Sequence, residues 1–425
     1  MAEQNLIEQL AGSARRAASI LAQTRGEKRN AALLACAVAI RAHKAGLQAA
    51  NEKDLAAAKG FALSEAMIDR LKLTDDRIES MADAMEQIAA QVDPVGRTIA
   101  AHNRPNGLRI EKRRVPIGVI GIIYESRPNV TADAAGLCLK AGNACILRGG
   151  KEAVNSNLAI ASALREALSS QNLPEAAVTV IDKTDRALVN DMARAEGLID
   201  LIIPRGGKAL IRAVTEAATV PVIKHYAGNC HIYVHGEADL EVAESITINA
   251  KCQRPGVCNA AETLLVDTAI AKQFLPRIIP ALMDQGVELR CAKLTEDILP
   301  FAKGDSDKLK EATADDWGNE YLDLVLAVRV VESIDAAIEH INKYGSGHTD
   351  AIITRSMEAA EHFVAAVDSS SVMVNASTRF SDGGEYGLGA EVGISTDKLH
   401  ARGPMGAEDL TTYKWIVTGN GHIRT

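Results

Sequence analysis

The chain has 425 residues, of which 47% are hydrophobic and only 3% aromatic, and its formal net charge at pH 7 is −8. This length suffices for two or three domains, and an aliphatic core of this kind is typical of helices packed on parallel sheets. The acidic charge argues against a broad nucleic-acid-binding surface, and the longest apolar runs are far too short to cross a bilayer.

The first hundred residues are predicted to be mainly helical. The N-terminal stretch "MAEQNLIEQLAGSARR" contains acidic residues and no apolar signal-peptide core, so we expect a cytoplasmic protein whose cysteines are reduced thiols. Apolar residues keep helical spacing from Leu6 to Leu21 and again from Ile78 to Val92. The turn Pro105-Asn106-Gly107 then lies between two alternating segments, which predicts a β-ribbon that faces solvent or a second subunit.

Strand-like apolar runs alternate with helical patterns through the rest of the chain. A first series of strands is predicted over residues 115–125, 144–150, 177–182 and 198–207. A second series is predicted over residues 261–267, 287–291, 321–331, 349–355 and 371–376, with helices over 268–285, 333–343 and 356–367. This alternation predicts two α/β domains with open parallel sheets that meet near residues 220–230, and one further strand in the tail 411–425.

Two strand-to-helix turns, "LRGGKEA" and "PRGGKAL", are rich in glycine. Bare backbone N–H groups at a helix N-terminus beside Arg or Lys suit a phosphate group. Neither turn is a complete GxxxxGK[ST] or GxGxxG motif, so turns that need glycine only for tight geometry are the alternative.

Cys258 lies in the stretch "KCQRPGVCNAAETLLV", after the turn-forming pair Pro255-Gly256. An unassisted thiol has a pKa of about 8.5, and neighbouring cations such as Lys251 and Arg254 would favour the thiolate. This polar, broken context favours a nucleophile over a small buried cysteine, which is the alternative. Four other cysteines lie inside apolar helix or strand patterns: Cys36, Cys138, Cys145 and Cys291.

A metal site is a weaker interpretation of the same region. Candidate ligands are His225, Cys230, His231, His235, Cys252 and Cys258. Their spacings match no standard zinc pattern, and neighbours in "CHIYVH" alternate across a strand, so we predict no metal site. Asn129, in "YESRPNVTADAAG", either caps or turns the chain or donates a hydrogen bond to a developing oxyanion.

Long blocks of the sequence resemble the γ-glutamyl phosphate reductase family, also called glutamate-5-semialdehyde dehydrogenases, of the aldehyde dehydrogenase superfamily. The blocks are "PIGVIGIIYESRPNVTADAAGLCLKAGNACILRGGKEA", "RPGVCNAAETLLVD", "DDWGNEYLDLVLAVRVV", "INKYGSGHTDAIIT" and "VNASTRFSDGGEYGLGAEVGISTDKLHARGPMG". The resemblance implies two parallel-sheet α/β domains of aldehyde dehydrogenase type plus a β-strand oligomerisation arm. The nucleotide-binding domain would comprise residues 1–100 and 117–224, the catalytic domain 225–405, and the arm 101–116 and 406–425.

The resemblance also implies an activity. It is the NADPH-dependent reduction of L-glutamate 5-phosphate to L-glutamate 5-semialdehyde and phosphate through a cysteine thioester, the second step of proline biosynthesis from glutamate. Cys258 aligns with the catalytic cysteine, and Asn129 with an asparagine that completes the oxyanion hole. The implied partners are the substrate, a second copy of the chain in a dimer or tetramer, and transiently glutamate 5-kinase.

The same resemblance assigns binding residues. The cofactor residues would be Arg148, Gly149, Lys151, Arg205, Gly206, Gly207 and Glu320. Of these, Arg148 and Lys151 would meet the ribose 2′-phosphate and Glu320 the nicotinamide ribose, while Ile211 stands where the usual second glycine is expected. Arg127, Lys251 and Arg254 are hypotheses for the leaving phosphate, and Ser377, Thr378 and Arg379 for the substrate α-carboxylate.

His225 is an informative departure from the superfamily pattern. It takes the position of the glutamate with which hydrolytic aldehyde dehydrogenases activate water. An enzyme that exchanges its thioester with phosphate should not activate water there, so His225 favours acyl-phosphate chemistry, and we propose it as the proton donor to the departing thiolate. The alternatives are a hydrolytic aldehyde dehydrogenase that makes a free acid, and a non-catalytic scaffold or RNA-binding protein, which the acidic charge disfavours.

Overall fold

Two α/β units share the chain in this computed structural model, which describes residues 6–424 apart from 59, 62, 64 and 294–306. Unit 1 comprises the residues up to Lys224, Gly387–Gly393 and the residues from Pro404 onward. Unit 2 comprises His225–Tyr386 and Ile394–Gly403. No helix in the described part of the chain is long and apolar enough to span a membrane.

Unit 1 begins with helices α1 (Leu6–Leu21), α2 (Gly26–Ala42), α3 (Lys44–Ala58), α4 (Glu65–Leu71) and α5 (Asp75–Ala90). The helical spacing predicted from Leu6 to Leu21 is confirmed, since every third or fourth residue of α1 is buried. The second predicted helix ends earlier than Val92. Gln91 is already extended and Val92 is 80% exposed, because the helix cannot continue toward Pro94.

The sheet of unit 1 is parallel, as the βαβ pattern predicts. Its strands are β3 (Val119–Tyr124), β4 (Ala144–Arg148), β5 (Val178–Val180) and β6 (Leu201–Arg205), in the order β5-β4-β3-β6. The connecting helices are α6 (Asn129–Lys140), α7 (Val154–Ser170) and α8 (Ala187–Ala193), and α9 (Lys208–Ala217) follows β6. The carboxyl ends of parallel strands share one edge of a sheet, so the turns after β3, β4 and β6 lie at the same edge.

An antiparallel ribbon, also in unit 1, joins the predicted hairpin to the tail. Strands β1 (Thr98–Asn103), β2 (Arg109–Pro116) and β16 (Thr411–Thr418) pair in the order β1-β2-β16. Alternate residues of β16 expose large side chains to solvent, namely Tyr413, Trp415 and Val417. The ammonium of Lys112 lies 3.5 Å from the centroid of the Tyr413 ring.

One predicted domain boundary differs from the structure. Residues 387–393 and 404–405 are predicted to belong to the catalytic domain 225–405, yet they cluster with unit 1. The carboxylate of Glu391 pairs with Arg205 at the end of β6, and the Val392 N–H donates to the carbonyl of Met405. These contacts attach Glu391 and Val392 to other residues of unit 1.

Unit 2 is built on a second parallel sheet with the strand order β10-β9-β11-β8-β7-β12-β13. The strands are β7 (Cys230–Val234), β8 (Ala261–Asp267), β9 (Glu288–Cys291), β10 (Leu309–Glu311), β11 (Val325–Val331), β12 (Thr349–Ile353) and β13 (Ser371–Val374). Its helices are α10 (Leu240–Cys252), α11 (Thr268–Asp284), α12 (Ile334–Tyr344) and α13 (Met357–Ala366). Strands β14 (Gly393–Ser395) and β15 (Gly403–Met405) form a separate pair.

The two faces of this second sheet are covered by different helices. Leu264 and Leu326 pack with Phe274 of α11, whereas Tyr233 and Leu265 pack with Phe363 of α13. Because both faces are buried, the strands read as the continuous aliphatic runs found in the sequence. The loop between α10 and β8, which carries Cys258, is therefore anchored at both ends in a closed core.

Candidate active site

The backbone around Cys258 is held by the segment that leads into β7. Gly228 passes so close that a Cβ atom there would lie 2.6 Å from the Cα of Cys258 and overlap its carbonyl oxygen. Two residues further on, the Cys230 thiol donates a hydrogen bond to that same carbonyl oxygen at 3.2 Å. Glycine at position 228 is therefore required by close packing against the candidate nucleophile.

We expect Gly228→Ala to lower kcat by about 10²-fold, because the added methyl group must push the backbone of Cys258 by roughly an ångström. The measurement is steady-state kinetics on the purified variant, with circular dichroism to confirm folding. Gly318→Ala is the matched control, since a Cβ atom at Gly318 meets no atom within 4 Å. A Gly228→Ala variant with normal kcat would show that this contact does not position the thiol.

The environment of Cys258 differs from that of the other thiols. Five of the seven free cysteines are buried, and only Cys252 and Cys258 are partly exposed. Burial raises the pKa of Cys36 to about 12 and raises the pKa values of Cys230 and Cys252 as well. A thiol that must attack a substrate needs access and a reachable thiolate form, so Cys258 remains the best candidate.

Two imidazoles lie beside this thiol. The Sγ atom of Cys258 and one ring nitrogen each of His225 and His348 lie within 4.8 Å of one another. The rings of His225 and His348 meet edge to face, with 5.7 Å between their centroids. Nδ1 of His348 lies 2.9 Å from the hydroxyl oxygen of Thr349 and 3.7 Å from the sulfur of Cys230.

His348 is the residue that the sequence analysis missed. It stands in the block "SGHTDAI", which contributed to the family resemblance but received no role. The other two histidines that were candidate metal ligands, His231 and His235, have hydrogen-bond partners elsewhere in unit 2. Nδ1 of His231 is 2.8 Å from the Asp350 carboxylate, and Nδ1 of His235 is 2.8 Å from the Thr354 hydroxyl.

Glu320 lies on the same side of unit 2 as Gly228. Its carboxylate accepts a hydrogen bond from the Gly228 N–H at 2.8 Å. The side chain of the neighbouring Asn229 donates to the carbonyls of Trp317, at 2.8 Å, and Tyr344, at 2.9 Å. The segment that bears Glu320 is thus tied to the backbone that supports Cys258, while its role as a ribose ligand stays a prediction.

The structure contradicts the role predicted for Lys251. Its side chain is fully buried, and its ammonium pairs with the Glu262 carboxylate at 2.6 Å. Burial lowers the pKa of Lys251 and raises the pKa of Glu262 to about 7. Since Lys251 lies on the inner face of α10 and its ammonium is already neutralised by Glu262, it does not hold the leaving phosphate.

Two guanidinium groups remain near the thiol. Arg254 is exposed, and Arg379 is partly buried near the charges of Arg254 and Asp382 and near the side chain of Cys258. Burial and the neighbouring Arg254 charge lower the pKa of Arg379. Arg379 donates to Gln253 at 2.8 Å and also to the side chain of Asn259, the residue after the nucleophile.

The short 3-10 helix Thr378–Phe380 carries Arg379 at this position. The Ser377 hydroxyl caps it by accepting from the Arg379 N–H at 3.3 Å, and Asn259 donates to the Ser381 carbonyl at 2.9 Å. Thr378 is fully buried, and its hydroxyl has no hydrogen-bond partner among the described residues. Since Thr378 is fully buried, its hydroxyl would have to become accessible before it could donate to a ligand, and its role at the α-carboxylate stays a prediction.

The cofactor residues predicted in unit 1 gather after β4 and β6. The Arg148 guanidinium donates to the carbonyls of Gly149, at 3.2 Å, and Thr184, at 3.1 Å. Its buried Nε has no hydrogen-bond partner in the described part of the chain. Lys151 is exposed, with its ammonium 4.4 Å from the centroid of the Phe61 ring. These two cations fit the phosphorylated ribose of a dinucleotide.

The glycine turn before α9 fits a phosphate less directly. The Gly207 N–H donates to the Glu125 carboxylate at 2.9 Å, so a phosphate at this helix N-terminus would replace Glu125. Arg205 is paired with Glu391 at 3.4 Å. The roles of Arg205, Gly206 and Gly207 at the diphosphate therefore stay predictions, and they require the Glu125 carboxylate to be displaced from the Gly207 N–H.

Asn129 is the first residue of α6, and its amide donates to the Asp133 carboxylate at 2.9 Å. Burial raises the pKa of Asp133 to about 6. Arg127 lies in the turn between β3 and α6 and is partly exposed. Both residues belong to unit 1, and their roles at the oxyanion and the leaving phosphate stay predictions.

Comparison with known proteins identifies the family of the chain. The model of the aldehyde dehydrogenase family matches residues 1–289. The chain is 54% identical to gamma-glutamyl phosphate reductase of Caldanaerobacter subterraneus over 418 residues, which are 98% of this chain and 99% of that protein. Its structure matches the crystal structure of gamma-glutamyl phosphate reductase from Thermotoga maritima with a TM-score of 0.94 and 47% identity, over 99% of this chain and 100% of that one. The chain therefore belongs to the aldehyde dehydrogenase family, within its gamma-glutamyl phosphate reductase branch.

Proposed function

We propose that this chain catalyses the NADPH-dependent reduction of L-glutamate 5-phosphate to L-glutamate 5-semialdehyde and phosphate. The observation that carries the proposal is a partly exposed thiol, Cys258, on a backbone fixed by Gly228 and flanked by two imidazoles. The names of relatives that are 54% identical over nearly the whole chain support this substrate. The branch implies a nicotinamide cofactor, and the cations after β4 favour its phosphorylated form.

The reaction begins with attack of the Cys258 thiolate on the γ-acyl carbon. A C–S bond forms, the carbonyl oxygen becomes an oxyanion, and the C–O bond to phosphate then breaks. The N–H of Cys258 and the amide of Asn129 are proposed to stabilise the oxyanion, and one such donor is typically worth about 10²–10³ in rate. Arg254 and Arg127 are proposed to neutralise the departing phosphate.

The substrate head group needs a cation and donors. We assign the α-carboxylate to Arg379, with the hydroxyls of Ser377 and Thr378 as further donors. Asn259 links this loop to the nucleophile through its hydrogen bonds to Arg379 and Ser381. Binding of the head group would therefore help to orient the acyl carbon toward the adjacent thiol.

We propose that the phosphorylated ribose of NADPH is held by Arg148, Gly149 and Lys151. Its diphosphate would be held by Arg205, Gly206 and Gly207. Its nicotinamide ribose would be held by Glu320. When bound, the cofactor supplies the hydride that reduces the thioester carbonyl. Cys258 then leaves from the thiohemiacetal as a thiolate, and His225 is proposed to hold the proton that neutralises it.

The decisive test is the phosphate dependence of the reverse reaction. Purified protein is mixed with glutamate semialdehyde and NADP⁺, with and without inorganic phosphate, and the absorbance of the reduced cofactor is followed. We expect turnover only with phosphate, because a phosphate oxygen, rather than water, must attack the acyl carbon so that the C–S bond breaks and the Cys258 thiolate leaves. Sustained turnover without phosphate would instead identify a hydrolytic aldehyde dehydrogenase and would refute the argument from His225.

Lys151→Ala is expected to raise the KM for NADPH about 10-fold and leave the KM for NADH unchanged, because only the former carries a 2′-phosphate for the ammonium. The measurement is the pair of KM values at fixed acyl-phosphate concentration. Lys272→Ala, at an exposed position on α11, is the control for loss of an exposed surface charge. Equal changes for both cofactors would assign Lys151 to a part of the cofactor that they share.

We also propose that the ribbon of β1, β2 and β16 joins copies of the chain in a dimer or tetramer. Exposed apolar side chains on a ribbon with open edges favour pairing with a second chain. Trp415→Glu is expected to shift the mass measured by light scattering toward the monomer, whereas Val38→Glu, at an exposed apolar position on α2, should not. An unchanged mass for both variants would place the interface elsewhere; contact with glutamate 5-kinase stays a prediction.

A further inference from the structure

We propose that Cys258, His225 and His348 form a binding site for a single Zn²⁺ ion, and that this ion inhibits the chain by occupying its thiol. The sequence spacings alone predicted no metal site. The structure changes this prediction because His348, distant in sequence, brings a second imidazole to the thiol. These three side chains are the only group of three or more His, Cys, Asp and Glu found within metal-ligand reach in the described part of the chain.

The donor set is the one that zinc prefers. One thiolate and two neutral imidazoles suit a borderline-soft divalent ion, whereas magnesium and calcium require oxygen ligands. Three protein ligands with a fourth position open to solvent describe the catalytic type of zinc coordination. The partly exposed thiol of Cys258 provides that opening. Phosphate or water would then complete the tetrahedron.

To bind a zinc ion, the three ligand atoms would have to move only slightly closer to one another. Bond lengths of about 2.0–2.1 Å to nitrogen and 2.3 Å to sulfur place the ligand atoms of a tetrahedral zinc roughly 3.3–3.6 Å apart. The three donor atoms already lie within 4.8 Å of one another. His225 and Cys258 both lie outside helices and strands and are partly exposed, so their side chains can adjust.

His348 is the fixed member of the group. It is fully buried immediately before β12, and the contact of its Nδ1 with the Thr349 hydroxyl sets the orientation of the ring. With that hydroxyl on Nδ1, Nε2 is the nitrogen that would coordinate the metal. A metal-bound histidine is usually supported by a hydrogen bond that its other ring N–H donates to a neighbouring oxygen.

Binding has a clear chemical consequence. The Cys258 thiol loses its proton to solvent as the S–Zn bond forms, so affinity should fall as the pH is lowered. The sulfur lone pair that binds the zinc ion is then unavailable to attack an acyl carbon. The binding itself does not depend on the proposed reaction, but the inhibition does.

The test uses the full chain, freed of metal by chelation, in equilibrium dialysis against Zn²⁺. We expect one tightly bound ion per chain, and a loss of affinity of about 10²-fold or more in Cys258→Ala and in His225→Gln. Co²⁺ in place of Zn²⁺ should give a thiolate charge-transfer band that Cys258→Ala abolishes. His348→Gln provides a third variant, which is interpreted only where circular dichroism shows a native fold.

Cys252→Ala is the matched control, because Cys252 is also partly exposed but is not part of the three-residue group. Its zinc affinity should equal that of the unmodified chain.

Zinc should also stop turnover, and a chelator should restore it. Binding that survives Cys258→Ala and His225→Gln, or the absence of a tight ion, would overturn the proposal. Binding that is lost in these variants but leaves turnover unaffected would retain the site and refute the proposed inhibition.

Discussion

Cys258→Ala is expected to lower the turnover of acyl phosphate by about 10⁵-fold or more, since removal of a covalent nucleophile eliminates the whole pathway rather than one contact. Turnover is measured in both directions, as semialdehyde formation and as phosphate-dependent oxidation. The fold should survive, because Cys258 is only partly buried and its backbone contacts with Gly228 and Cys230 do not involve its sulfur.

Cys252→Ala is the control for this variant as well, and should retain full activity. Alkylation with iodoacetamide gives an independent readout. Cys258 should be modified first, and an acyl-phosphate substrate should protect it. A Cys258→Ala variant with more than about a hundredth of the normal rate would contradict covalent catalysis through this thiol.

Lys251→Met is expected to destabilise unit 2 by about 3–5 kcal/mol, because it leaves the carboxyl group of Glu262 buried without its cation. Chemical denaturation followed by circular dichroism measures the loss. The double variant Lys251→Met with Glu262→Leu should recover most of it, since two packed apolar side chains replace the pair. A double variant as unstable as the single one would show that packing, not the orphaned charge, causes the effect.

The destabilisation by Lys251→Met should also depend on pH. Burial raises the pKa of Glu262 in the folded chain to about 7, above its ordinary value of 4.5. The folded state therefore binds more protons than the unfolded state between these values, and the stability contributed by Glu262 falls as pH rises through this window. Loss of the lysine raises the folded pKa further, so the deficit should be smaller at pH 5.5 than at pH 8.

The strands could be predicted from the sequence where both faces of a sheet are buried. The run "AETLLVD" was predicted as a strand over residues 261–267, and β8 spans those same residues because both faces of its sheet are covered. The helix predicted over 268–285 differs from α11 by one residue. Cys258 could be singled out because a Pro-Gly turn and a polar neighbour set it apart from the buried thiols.

Lys251 and His348 show why the rest of the site could not be predicted. Lys251 precedes Cys258 by only seven positions, but the helical turn of α10 directs its ammonium to Glu262, inside a stretch that reads as apolar. His348 reaches the thiol only because β12 pairs with β7, which places residues more than a hundred positions apart side by side. Sequence proximity misled in the first case, and in the second only the strand order could reveal the contact.

The chain contains only two tryptophans, one in each unit, and this gives it a built-in optical readout. Trp415 is 57% exposed on the ribbon, so its fluorescence should shift to shorter wavelength if assembly covers that strand. Trp317 is partly buried, and its carbonyl is tied to Asn229 beside the backbone that supports Cys258. In a Trp415→Phe background, the emission of Trp317 alone would report on ligands that bind next to the thiol, without any attached label.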